Sequence, residues 1–159
     1  QLNVTSGIGI SADETRTILM VLKPESGFNN SEVFGTSTTQ MIDFGNWSLD
    51  NRLRLRDTSH NGDGFSAAGD VPFDQAHMIS VTSMSGNTSG YNGAMNILSS
   101  TSEYFHMSLT SSVGIGGAHQ TGRRFKGHLG EILVYDRVLS SSELNLLWQY
   151  LAQKWGVNY

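Results

Sequence analysis

The chain has 159 residues with no cysteine, 18 glycines, 15% charged residues and a formal net charge of -4. No cysteine means no disulfide and no thiolate metal site, and ten basic residues scattered through an acidic chain form no basic stripe for a phosphate backbone, so no nucleic acid partner is expected. No apolar run approaches the roughly eighteen residues of a spanning helix, so no membrane span is expected, and the composition suits one all-β domain of short strands and Gly- and Ser-rich turns over residues 1–159.

Leu2, Val4, Ile8 and Ile10 alternate weakly and predict one short strand within residues 1–10. Residues 16–23 form an apolar strand closed by Pro24, which lacks a ladder donor and suits a strand end. Val33 begins the next strand. In residues 40–57, Met41, Leu53 and Leu55 are expected to face inward while Arg52, Arg54 and Arg56 face the other way on a half-exposed strand. Residues 58–69 are turn-formers almost throughout and predict the longest loop of the middle region, a setting in which sandwiches carry function. Residues 77–84 predict a strand, 85–90 a polar turn and 91–98 the partner strand, with short strands at 105–109 and 112–115.

The C-terminal part is the most explicit. Residues 129–135 predict a strand covered on both sides, with Leu129, Leu133 and Tyr135 on one face and Ile132 and Val134 on the other. Ser140 and Glu143 form a capping box that starts a helix at about residue 141. Leu144, Leu147, Trp148, Leu151 and Trp155 recur at three- and four-residue spacing, placing both tryptophans in the core, and Lys154 and Gly156 suit the helix end.

Phe125, Gly127, Glu131, Tyr135, Asp136, Arg137, Leu139, Ser140 and Glu143, followed by Tyr150, Leu151, Lys154, Trp155 and Gly156, form a pattern that resembles the closing segment of bacterial laminin-G-like, concanavalin A-like lectin/glucanase domains. Residues 17–24, 78–86, 91–94 and 113–117 resemble the same family more loosely. The resemblance implies a two-sheet antiparallel jelly-roll sandwich with one C-terminal amphipathic helix, in a larger extracellular, cell-surface or virion-surface protein. It implies no single activity, because that fold hosts lectins, hydrolases, lyases and spacers. Only sixteen residues precede Thr17, so a family strand is expected either to be reduced to residues 1–10 or to be missing, which would leave an edge for a strand-adding neighbour or a second copy.

The family's glucanases carry an E-x-D-x-x-E strand and its lyases a Gln-x-His strand, and neither occurs here, so no catalytic residue is assigned and no enzyme is expected. Glu131 has a framework position and is expected to be a structural hydrogen-bond acceptor. The histidines are scattered without zinc-site spacing. Asp57, Asn61 and Asp63 offer oxygen ligands for calcium in a glycine-loosened loop, and are also what any turn would use. Trp47 and Tyr91 offer flat rings for stacking on a sugar or, equally, for half-buried packing, and His119 and Arg123 lie in a polar loop that suits the rim of a site or, equally, a solvated turn. The expected function is a noncatalytic carbohydrate-binding or adhesive module whose partner is a polysaccharide or other glycan. The alternative is a structural spacer or assembly domain, as in a fibre or tail protein, and a lyase or hydrolase with displaced catalytic groups stands third.

Overall fold

Eleven strands and one helix follow in order: β1 (Leu2–Val4), β2 (Arg16–Pro24), β3 (Ser31–Ser37), β4 (Gln40–Phe44), β5 (Leu53–Asp57), β6 (Gly62–Phe65), β7 (His77–Met84), β8 (Asn87–Asn92), β9 (Met95–Ser100), β10 (Val113–Ile115), β11 (Gly127–Tyr135) and α1 (Ser141–Trp155). The computed structural model describes all residues except 1, 5, 12–13, 27–30, 38, 45–49, 58–61, 85, 101–104, 106, 111, 118–121 and 159, and the side chains of 2–4, 62–63 and 100. The strands form a six-stranded sheet, β1-β10-β3-β4-β5-β6, and a five-stranded sheet, β11-β2-β7-β8-β9, which pack as a jelly-roll sandwich.

Alternation builds the core between the sheets. Ile18, Met20 and Leu22 of β2 and Ile79 and Val81 of β7 meet Ile42, Phe44, Leu53 and Leu55 from the other sheet. At Gly90 on β8 the two sheets approach closely, since a Cβ there would lie 2.8 Å from Leu53 Cδ2. The other residues of β2, Leu19 and Val21, join Met78 beneath Leu144, Trp148 and Leu151 of α1. β2 is therefore buried on both faces, which is why it reads as an unbroken apolar run.

The capping box is present at α1, with Glu143 N–H donating to Ser140 Oγ at 3.3 Å and Ser140 N–H to Glu143 Oε2 at 2.8 Å. Arg137 adds a bidentate pair to the same carboxylate, and its hydrogen bond, followed by those from Ser140, lowers Glu143 to about 2. Thr17 Oγ1 donates to Arg137 O and accepts from Leu139 N–H, fixing the entry of the helix onto the sheet.

Several sequence expectations change, and residues 105 and 107–109, expected in a short strand, belong to none. A bulge between Leu129 and Glu131 shifts the β11 register, so Leu129 packs with Ile132 and Val134 toward the inter-sheet core while Leu133 and Tyr135 lie under the helix. Trp155 is 43% exposed. Its ring covers Gly130, where a Cβ would approach within 3.2 Å, and its Nε1–H and Lys154 Nζ both donate at 2.9 Å to Glu131 Oε2. Glu131 is thus the structural acceptor that its position suggests. Within the predicted 58–69 loop lies strand β6, held by β5, and within the predicted 85–90 turn lies most of β8, whose hairpin to β9 turns at Gly93.

At the N-terminal end, β1 pairs with β10 at the edge of the six-stranded sheet. Ile8 and Gly9 then donate to Leu109 O, and Leu109 N–H to Ile10 O.

Candidate functional site

The helix packs on the outer face of the five-stranded sheet, and the charged strand residues gather on the outer face of the six-stranded one. There β4 and β5 alternate in step: Ile42 and Phe44 pair with Leu55 and Leu53 on the core side, and Asp43 and Met41 pair with Arg54 and Arg56 on the outer side. On β3 a bulge at Val33 lets Val33 and Phe34 both enter the core and returns Glu32 to a position directly opposite Asp43. Phe65 of β6 faces Arg54. One cross-strand row therefore reads Glu32, Asp43, Arg54, Phe65, with Arg56 in the next row.

Arg123 reaches this row through the backbone. Once β10 leaves the edge of β3, Glu32 N–H donates to Arg123 O at 2.9 Å and Arg124 forms a parallel bridge to Glu32. Gly117 makes that approach possible, because a Cβ on it would sit 2.4 Å from Arg124 Cα.

The row is charged and dry at its centre. Glu32 and Asp43 are 0% exposed, and Arg54, also buried, lies 3.7 Å from Asp43 Oδ2. At the rim Phe65 is 37% exposed and lies beneath two guanidiniums, with Arg52 at 5.6 Å and Arg54 at 5.4 Å from its ring centroid. Arg52 is also paired with Asp50. Burial raises the Asp43 carboxyl from its ordinary 3.8 to about 7; Arg54, Arg123 and Arg56 oppose that shift and Glu32 adds to it.

Stability should carry the mark of this group. Between pH 3.8 and about 7 the folded protein holds a proton on Asp43 that the unfolded chain has released. Its contribution is therefore present below the unfolded value and is lost as pH rises through the folded one. Urea midpoints measured from about pH 5 to about pH 8 should fall more steeply for the native protein than for Asp43→Asn. Equal slopes would show that Asp43 does not titrate in this window.

The residues singled out from the sequence do not all meet here. Arg123 does. Tyr91 lies on the far side of the sandwich, half-buried beside α1 with its ring 5.7 Å from Trp148. Asp57 ends β5, buried, opposite Gln40 and Gly62, and Asp63 is opposite Arg56. Trp47, Asn61 and His119 lie outside the described residues, as does the Asp63 side chain. Among the described residues no group of three or more His, Asp or Glu side chains converges to hold a metal ion. Glu32, Asp43 and Phe65 carry no local motif, and Arg54, expected on the exposed side of its strand, is buried. The readable signal was opposite charge at matching positions of neighbouring strands.

A depression of about 870 Å³ lies between the end of α1, the β8–β9 turn and residues 69–77. Its polar groups satisfy one another: His77 Nε2–H donates to Pro72 O at 2.7 Å, and Asn92 Nδ2 donates to Asp70 O and His77 Nδ1. Among the described residues no helix is long and apolar enough to cross a membrane.

No family model and no curated protein matches the chain by sequence. Solved structures do match. A Bacteroides ovatus protein assigned to carbohydrate binding aligns with TM-score 0.72 and 14% identity over 91% of this chain, which spans 44% of that one. Domain 4 of AbnA, a GH43 extracellular arabinanase from Geobacillus stearothermophilus in complex with arabinotriose, aligns with TM-score 0.69 and 20% identity, covering 92% of this chain and 71% of that one. The CBM40 of Ruminococcus gnavus IT-sialidase bound to α2,3 sialyllactose aligns with TM-score 0.65 and 18% identity, covering 92% and 94%. The likeness is one of fold, a lectin-type jelly roll, and does not single out the laminin-G branch that the closing segment resembles.

Proposed function

We propose that this domain is a noncatalytic carbohydrate-binding module of an extracellular or surface protein, and that its glycan lies on the outer face of β3 to β6. The observation that carries this reading is the contrast between the two outer faces. One is covered by α1, and the other carries the partly exposed ring of Phe65 with the part-exposed Arg52 over it and the buried Arg54 beside it. A flat ring flanked by fixed guanidiniums provides stacking and directional hydrogen bonds, the two elements of sugar recognition. The arabinotriose and sialyllactose complexes of similar folds support it.

A shallow face that must desolvate hydroxyls should bind on the order of micromolar to millimolar. Titration against an array of neutral and acidic glycans should find ligands, and Phe65→Ala should weaken them roughly three- to tenfold through lost stacking. Unchanged affinity in a folded variant would move the site elsewhere. Absence of any glycan ligand for the intact fold would favour the spacer or assembly role. A parallel titration with chelator tests calcium at Asp57, Asn61 and Asp63: lost binding supports it and unchanged binding removes it.

A further inference from the structure

We propose that the outer edge of β11 receives a second copy of this chain, strand to strand and antiparallel about a two-fold axis, so that two five-stranded sheets join into one. β11 ladders with β2 alone, and among the described residues no loop or strand hydrogen-bonds to its other side. A row of free backbone N–H and C=O groups is a template for another strand, and proteins that stay apart blunt such edges with very short strands, bulges or charges. The other sheet edges are shorter: three residues in β1, four in β6 and six in β9, against nine in β11. Past the bulge at Gly130, residues 131–135 of β11 run in regular register, and their one charge, Glu131, is already held by Lys154 and Trp155.

Apolar side chains border this edge on both faces of the sheet. On the core side lies a depression of about 630 Å³, lined in part by the exposed Ile8 and by Ile10, Ile132 and Val134. On the helix side Leu133 and Tyr135 are only partly covered by α1. The exposed Tyr150 and Trp155 stand on that flank: Lys154 lies over both rings and, with Trp155 Nε1–H, donates to Glu131 of β11. A strand added here would therefore bury apolar surface above and below as well as complete a ladder.

The same strand from a second copy fits this edge. A two-fold axis at Leu133 sets that residue opposite its own counterpart, Ile132 opposite Val134 of the second copy and Glu131 opposite Tyr135, so apolar meets apolar and no like charges are opposed. Ile132 and Val134 of the second copy then enter the depression beneath Ile8. Because the contact is isologous, each edge satisfies the other and the assembly closes at two copies. An antiparallel join places the axis perpendicular to the sheet, with both helices on one side and both six-stranded sheets on the other. On the carbohydrate-binding reading, the pair presents two glycan faces in one direction and gains avidity for a long polysaccharide.

Sedimentation equilibrium of the chain from about 1 µM to about 1 mM should show a mass that rises from that of one chain toward that of two. The chain has no cysteine, so one introduced thiol reports the register. Leu133→Cys should form a disulfide-linked dimer with oxidised glutathione, and Met95→Cys, exposed on β9 at the opposite edge of the same sheet, should not. Should Leu133→Cys fail to fold, Ile8→Lys combined with Tyr150→Lys alters only exposed side chains and should weaken self-association at least tenfold. A chain that stays a monomer to about 1 mM would overturn the inference. So would a dimer that links through Met95→Cys and not Leu133→Cys, or one indifferent to the paired lysine changes. None of these outcomes depends on whether a glycan binds, so the carbohydrate reading stands or falls separately.

Discussion

Trp148→Ala is expected to lower the unfolding free energy by about 3–5 kcal/mol, the cost of a large buried ring plus the cavity it leaves. The ring is 5% exposed and lies between Leu144 and Leu151 of the helix and Leu19, Val21 and Met78 of the sheet. Its Nε1–H donates to Ser80 Oγ at 2.8 Å, so the alanine variant also strands a buried hydroxyl. Trp148→Phe separates the contributions, since it keeps most of the ring and should cost clearly less. Urea unfolding followed by far-ultraviolet circular dichroism provides the measurement. A loss under about 1 kcal/mol for Trp148→Ala would mean that docking of α1 contributes little to stability.

Arg54→Met is expected to be comparably damaging, and its cost should depend on pH. Asp43 would lose the guanidinium 3.7 Å away while staying fully buried, and removal of one partner from a buried ion pair typically costs about 3–5 kcal/mol. Without Arg54, the largest effect lowering its pKa, Asp43 should hold its proton to still higher pH. The penalty should therefore be full well above pH 7 and shrink in acid, where the carboxyl is neutral. Adding Asp43→Asn should restore much of the lost stability at alkaline pH, because the uncompensated charge is gone. A penalty equal at pH 5 and pH 9, or no restoration by the second change, would show that the two groups are not coupled.

What could be read from the sequence is what local rules govern. The Ser140–Glu143 box and the apolar stripe of Leu144, Trp148 and Leu151 fall within one helix, and they are as expected. The exceptions have non-local causes. Leu129 changes face because a bulge at Gly130 makes room for Trp155, which comes from a different element. Residues 62–65 contain two glycines and an aspartate, poor strand formers, and are extended because β5 offers them a ladder.

The candidate site was harder to read for the same reason. The alternation of Arg52, Arg54 and Arg56 located an outer face, but burial of Arg54 depends on Asp43, which lies across the chain on the paired strand. Glu32 joins them only through the Val33 bulge. The polar, turn-rich setting of Tyr91 suited a stacking ring and half-buried packing alike, and it is the contact with Trp148 from the distant helix that half-buries it. Arg123 was legible from its polar loop and does stand beside the charged row.

The central claim is that ligand recognition occurs on the outer face of the six-stranded sheet. Nuclear magnetic resonance tests it most directly, through chemical-shift changes in the backbone amides, arginine Nε–H groups and aromatic rings as glycans are titrated into the labelled domain. The predicted result is a contiguous set of changes that includes Arg54, Arg56 and Phe65 and spares the helix. Changes confined to Tyr91 and the start of α1, changes confined to the depression beside His77 and Met95, or no change with any glycan would contradict it.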